Sequence, residues 1–175
     1  MSISVRRPQG RVHTDVATRE AISSNVLALV SLLLAAVLFC LPALINAAGV
    51  HSDAATVGLQ AEHILRGEWS WFIWGTDYQG ALDPAVIALG FAIGGATPLT
   101  LMVVTLIGHL ILVCLIFATL RRHLSLVLAT VATLPVVFVP RAIYGVSLYA
   151  PRQWSITCIF VVIWLLDGAL SARRP

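Results

Sequence analysis

The chain has 175 residues, of which 59% are hydrophobic and only 11% are charged, and its mean hydropathy is +0.93. Soluble domains carry about 25% charged residues, so this composition is typical of an integral membrane protein and excludes an ordinary soluble domain. The net charge of +3 comes from eleven arginines without any lysine, a usage typical of a GC-rich bacterial genome. Because these arginines cluster at the ends of apolar runs, they predict membrane orientation and not nucleic-acid binding.

Four apolar runs predict an all-α polytopic membrane protein with an external loop that carries two interfacial helices. The first run is longer than the apolar core of a secretory signal peptide, so we expect a retained anchor. The third run is short and contains Pro135. The predicted segments are a cytoplasmic tail at 1–23, spans at 24–48, 99–120, 124–139 and 154–170, interfacial helices at 52–66 and 84–95, and a cytoplasmic end at 171–175.

Residues 84–97 are apolar but short. As a helix they would rise about 21 Å, less than the roughly 30 Å of a bilayer core. Keeping this segment outside places eight arginines in the cytoplasm and three outside, whereas a crossing gives six and five. The positive-inside rule favours the first topology, with cytoplasmic termini and external loops at 49–98 and 140–153. Gly90 and Gly94 would then allow close helix packing.

Residues 52–66 predict a short amphipathic helix, suited to a membrane surface or to the rim of a cavity. Asp53, Thr56, Gln60 and His63 fall on one arc of about 80° at helical spacing, and this polar arc can face an outer cavity. Two interpretations of Asp53 stay open. It caps the helix N-terminus, or it is a partly buried carboxylate that serves as a base.

The stretch WSWFIWGTDYQG, residues 69–80, holds three of the five tryptophans. Its rings form either an interfacial belt or flat faces for a sugar ring or an isoprenoid chain. Asp77, Tyr78 and Gln79 follow at once and gather hydrogen-bond donors and acceptors in one place. They favour a binding site over a belt alone.

The segment HSDAATVGLQAEHILRGEWSWFIWGTDYQGALDP resembles the first external loop of the GT-C superfamily of polytopic glycosyltransferases, which includes protein O-mannosyltransferase-like and aminoarabinose-transferase-like enzymes. The likeness is strongest over residues 50–122. The matching positions are Asp53 after the first span, Gly58-Leu59, Ala61, His63-Ile64-Leu65, Gly67, Trp74-Gly75 and Tyr78-Gln79-Gly80.

The resemblance implies an enzyme of the bacterial inner membrane that moves a sugar from a polyprenyl-phosphate carrier to an acceptor hydroxyl on the outer face. Asp53 matches the catalytic position, as a base toward the acceptor or as a metal ligand. A divalent metal therefore stays open as a cofactor, although no ligand set is predicted. Arginine suits the leaving phosphate, and the alternative is that the external arginines only snorkel at the interface. The predicted substrate-binding residues are His63, Arg66, Trp74, Tyr78, Gln79, Arg141 and Arg152.

The expected partners are the lipid-linked sugar donor and membrane lipid, with no nucleic acid. Four spans correspond to the front half of a GT-C enzyme, so the remaining spans would lie in a C-terminal half or in a second chain. Two rival interpretations remain. One is a non-catalytic membrane module that binds lipid-linked sugar or partner helices, and the other is a small transporter or channel element.

Overall fold

The computed structural model describes residues 10–140, 148 and 150–172, and the regular structure in these ranges is helical. The predicted all-helical class is therefore confirmed for this part of the chain. The helices are α1 (Gly10–Ile45), α2 (Ser52–Leu65), α3 (Leu82–Gly94), α4 (Pro98–Arg121), α5 (Leu126–Val137) and α6 (Gln153–Ala172), with a 3-10 turn at Ala47–Gly49.

Three segments of the described chain are long and apolar enough to cross a membrane, which makes this a membrane protein. They are Ile22–Ile45, Pro98–Arg121 and Gln153–Ala172, with mean hydropathies of 2.8, 2.8 and 2.0. The shorter helices α3 and α5 rise only about 20 and 18 Å, less than a bilayer core. Helix α1 begins at Gly10, so the second half of the predicted polar tail is helical.

Side-chain caps set where α4 and α5 begin. Thr97 accepts a hydrogen bond from the backbone N–H of Thr100 at 3.1 Å, and Pro98 takes the first helical position, where no N–H is needed. Ser125 accepts from the N–H of Leu128 at 3.4 Å. The predicted span at 124–139 is thus a shorter helix.

Helix α3 packs antiparallel to the first half of α4 through small residues. A Cβ added at Gly90 would lie 2.3 Å from Cγ2 of Val104, and one at Gly94 would lie 3.2 Å from Cγ2 of Thr100. Both glycines therefore allow the two backbones to approach closely, as the sequence predicted.

Helix α6 runs parallel to α4 but begins farther along it. Gly108 lies against Trp154 near the start of α6, and Gly168 lies against the guanidinium of Arg122 at the end of α4. From Pro98 to Gly108 the rise is about 15 Å. Helix α3 fills the space beside this first part of α4, so the N-termini of α3 and α6 meet.

Polar contacts define two ends of the molecule. The arginine end comprises Asn25, Arg121, Arg122, His123 and Asp167. There Arg121 Nε donates to Asn25 Oδ1 at 2.8 Å, while Asp167 accepts from Arg122 at 3.0 Å and from His123 Nε2 at 2.7 Å. The opposite end, called the loop end, comprises residues 46–97 and 150–155.

Large apolar side chains face outward between the two ends. On α1, Val26, Val30, Leu34 and Leu38 recur every four residues, and each is more than half exposed. Helix α6 likewise exposes a series of valine, leucine and isoleucine side chains. Because lipid tails are as apolar as leucine, such faces are stable in a bilayer.

Candidate functional site at the loop end

The aromatic stretch folds into a closed hairpin over residues 71–81, called the aromatic hairpin. The N–H of Ile73 donates to Gln79 O at 2.8 Å, and the N–H of Ala81 donates to Trp71 O at 3.0 Å. The turn includes Gly75 at φ +80°, a backbone conformation that favours glycine. The segment is thus an ordered element and not an irregular surface loop.

Gln60 attaches this hairpin to α2. Its side chain is fully buried, its Nε2 donates to Phe72 O at 2.9 Å, and its Oε1 accepts from the N–H of Trp74 at 3.1 Å. The prediction that Gln60 faces an outer cavity with the rest of the polar arc is therefore wrong. A buried amide is costly unless its polar atoms have hydrogen-bond partners. Here the hairpin backbone gives a partner to the nitrogen and to the oxygen of Gln60.

The hairpin and its approach expose most of their rings. Trp71 is 76% exposed and Tyr78 is 79% exposed, while Ile73 is buried beneath them. Trp69 and Trp71 contact each other edge to face, with ring centroids 5.7 Å apart. Aromatic surface is therefore presented outward on a backbone that is held from below.

The C-terminal end of α2 forms a corner with Trp74, called the His63 corner, which comprises His63, Glu68 and Trp74. Gly67, at φ +86°, turns the chain so that His63 Nδ1 lies 2.5 Å from Oε2 of Glu68. The ring of His63 stands edge to face with Trp74, with centroids 4.7 Å apart. The hydrogen bond from His63 lowers the pKa of Glu68 below its usual range.

Arg66 lies beside this corner but is paired with another group. Its Nη2 is 3.5 Å from Oε2 of Glu62, one turn back on α2, and both side chains are largely exposed. The partial negative charge at the end of a helix also favours a cation here. The ion pair and the helix end thus account for Arg66 without a phosphate.

Asp53 lies at the other end of α2. The N-cap is His51, whose Nδ1 accepts from the N–H of Asp53 at 3.4 Å, so the interpretation of Asp53 as the cap is wrong. The carboxylate is exposed and accepts a hydrogen bond from the Ser52 hydroxyl at 3.4 Å, so the expected partial burial is also absent. Ten residues of helix separate it from His63, a rise of about 15 Å.

Two further contacts join the loop end to the start of α6, one from the hairpin and one from α3. The side chain of Gln79 donates to the carbonyl of Pro151. Asp83, fully buried at the first turn of α3, accepts from the N–H groups of Trp154 at 2.6 Å and Ser155 at 3.3 Å, and from the Ser155 hydroxyl at 2.6 Å. Burial raises the pKa of Asp83, and these hydrogen bonds oppose that shift.

Sequence reasoning missed Asp83. The signal was an aspartate directly before a proline at the start of an apolar run, LDP at 82–84. Its partners lie more than 70 residues later in the chain. Both α3 and α6 point their N-terminal, partly positive ends toward this carboxylate.

The remaining predicted site residues are Tyr78, Gln79, Arg152 and Arg141. Gln79 bonds to Pro151, the residue before the exposed Arg152, and Tyr78 is exposed beside Gln79 in the chain. Arg141 lies outside the described residues. Among the side chains that the structure describes (residues 20, 22–140, 148 and 150–172), no three histidine, cysteine or acidic groups are placed together as a metal site would need.

Comparison with known proteins finds no matching family model, curated protein or solved structure.

Proposed function

We propose that this membrane protein is a glycosyltransferase of the GT-C type, or the N-terminal half of one, that uses a polyprenyl-phosphate-linked sugar. The observation that supports the proposal most is the fixed aromatic hairpin at the loop end. An interfacial belt needs only exposed rings on any backbone. Buried Gln60 instead fixes this backbone to α2, and Gln79 bonds it to the start of α6, which buried Asp83 holds against the adjoining helix α3. Such fixed positions are what a binding site requires.

In this proposal Asp53 is the base. The acceptor oxygen attacks the anomeric carbon, the bond from that carbon to the carrier phosphate breaks with its electron pair, and Asp53 takes the hydroxyl proton. Exposure of the carboxylate leaves it accessible to an acceptor. The alternative role, as a ligand of a divalent metal, would need further ligands from the substrate or from water.

The proposed topology has four crossings in a bacterial inner membrane, with both termini cytoplasmic and the loop end outside. Helix α5 alone is short, but contacts of the chain before and after it support a crossing. Before it, Arg121 bonds to Asn25. Directly after it, the ring centroid of Phe138 lies 5.6 Å from that of Phe39. The chain after Arg121 therefore advances beside α1 as far as Phe39, a rise of about 21 Å from Asn25.

The test is turnover by the full chain in lipid nanodiscs, with radiolabelled polyprenyl-phosphate mannose, glucose, galactose and arabinose as donors. We expect the wild type to bind one donor and release its sugar to water or to an added membrane extract. Asp53→Asn should lower that rate by about 10²–10⁴, the loss typical of a general base, at unchanged thermal stability.

Each other outcome has a defined meaning. Donor binding with no turnover would identify the non-catalytic module and contradict the catalytic role. Turnover at the wild-type rate by Asp53→Asn would contradict the assignment of the base. A chain that binds none of the donors would overturn the proposed function.

A further inference from the structure

The charged groups at the His63 corner and beside it are paired within the chain. His63 is paired with Glu68 at 2.5 Å, and Arg66 is paired with Glu62 at 3.5 Å. The corner also lies at the C-terminal end of α2, where the helix dipole adds partial negative charge. An anion such as phosphate would meet two carboxylates and this dipole, so the corner favours a neutral ligand.

The hydrogen bond that His63 donates to Glu68 determines what the other side of the imidazole can offer. An ionised carboxylate only accepts, so Nδ1 of His63 carries the proton in this bond. The other nitrogen, Nε2, makes no hydrogen bond with the described residues, and it accepts when the ring is neutral and donates when the ring is charged. A hydroxyl can pair with either form, because it both donates and accepts. The phosphodiester of a lipid-linked sugar has no O–H to donate, so it can pair only with the charged form.

Trp74 supplies an apolar ring beside the imidazole of His63. Its ring is 37% exposed, and its backbone is held by the buried side chain of Gln60. The ring planes of His63 and Trp74 stand 74° apart. A sugar ring combines an apolar C–H face with hydroxyls at its edge, which is the combination that this corner complements.

We propose that His63 and Trp74 bind the neutral sugar ring of the donor, with Glu68 as the residue that positions His63. This inference rests on the proposed function and names the part of the donor that the corner recognises. It also assigns the phosphate of the carrier to another place, and Arg66 to a structural pair.

The experiment uses saturation-transfer NMR on the full chain in nanodiscs, with methyl glycosides of mannose, glucose, galactose and arabinose as probes. Inorganic phosphate is the comparison, and its binding is followed by the line width of its phosphorus resonance. We expect at least one glycoside to receive saturation. Trp74→Ala should weaken its binding by about three- to tenfold, the size of one aromatic contact. His63→Ala should weaken it similarly. Trp164→Phe, at the arginine end, serves as a control that should leave binding unchanged.

Two substitutions separate the charge of Glu68 from its hydrogen bond with His63. Glu68→Gln keeps an acceptor for His63 Nδ1, so glycoside binding should persist, whereas Glu68→Ala should weaken it. Because Glu68→Gln removes a negative charge, it should also increase phosphate binding, measured as a broader phosphate resonance. A purely structural role for Glu68 would move stability and not this ligand preference.

Three results would overturn the inference: no glycoside binding, binding that Trp74→Ala leaves intact, or wild-type phosphate binding that His63→Ala removes. Its failure can be separated from failure of the proposed function. If the full lipid-linked donor binds and is turned over while Trp74→Ala and His63→Ala bind it normally, only the inference about the corner is wrong.

Discussion

The two ends of the molecule join helices with polar side chains in different ways. At the arginine end, Asp167 bridges α4 to α6 through Arg122 and His123, and all three side chains keep part of their surface exposed. At the loop end, Gln60 and Asp83 are fully buried and bond to backbone groups. Exposed ion pairs stabilise little and tolerate movement, whereas buried polar groups are costly unless their partners stay in place. The loop end is therefore the more position-specific of the two.

The largest expected effect is at Asp83. Asp83→Ala would remove the partner of the part-buried N–H groups of Trp154 and Ser155 and of the Ser155 hydroxyl. We expect a cost of about 3 kcal/mol in the free energy of unfolding. The matched variant at the arginine end, Asp167→Ala, should cost clearly less, because exposed ion pairs stabilise little. Both are measured by unfolding in a titration with SDS. Equal costs would remove the distinction between the two ends.

The close packing of α3 on α4 gives a smaller effect. Gly90→Ala places a Cβ 2.3 Å from Val104, so a side chain or a helix must shift, at about 1–3 kcal/mol. Val104→Ala in the same chain should restore most of that loss, because it removes the atom that clashes. A double variant that is as unstable as the sum of the single variants would show that the two helices do not pack as described.

The smallest effect is a pH dependence within the loop end. Because the pKa of Asp83 is raised in the folded state, this group stabilises the fold completely below pH 3.8, its ordinary pKa. That stabilisation is lost as the pH rises through the pKa of the folded state. The lowered pKa of Glu68 acts in the opposite sense, with stability present above its ordinary value of 4.5 and lost as the pH falls through the folded value. In unfolding titrations from pH 3 to 8, Asp83→Asn should remove a decrease of the unfolding free energy with rising pH, and Glu68→Gln should remove an increase. If both substitutions changed the pH dependence in the same direction, these environments would be contradicted.

Helix positions were largely predictable, because apolar runs bounded by glycine, proline and arginine define them locally. The bounds of α2, α3 and α4 lie within two residues of the predicted ones. The contacts that build the site were not predictable. Gln60 has the helical position of a surface residue, and only the returning chain at Phe72 and Trp74 buries it. Asp83 similarly gains its partners from α6, so its spacing in sequence gives no sign of them.

The most direct measurement compares Trp74 at the loop end with Trp164, whose ring lies under Arg122 at the arginine end. The full chain would carry 5-fluorotryptophan in nanodiscs, with each resonance assigned by a single Trp→Phe replacement, and would be titrated with the polyprenyl-phosphate sugars. We predict that the fluorine resonance of Trp74 shifts with one donor while that of Trp164 stays constant. An unchanged Trp74 resonance, or equal shifts at both tryptophans, would contradict a sugar site at the loop end.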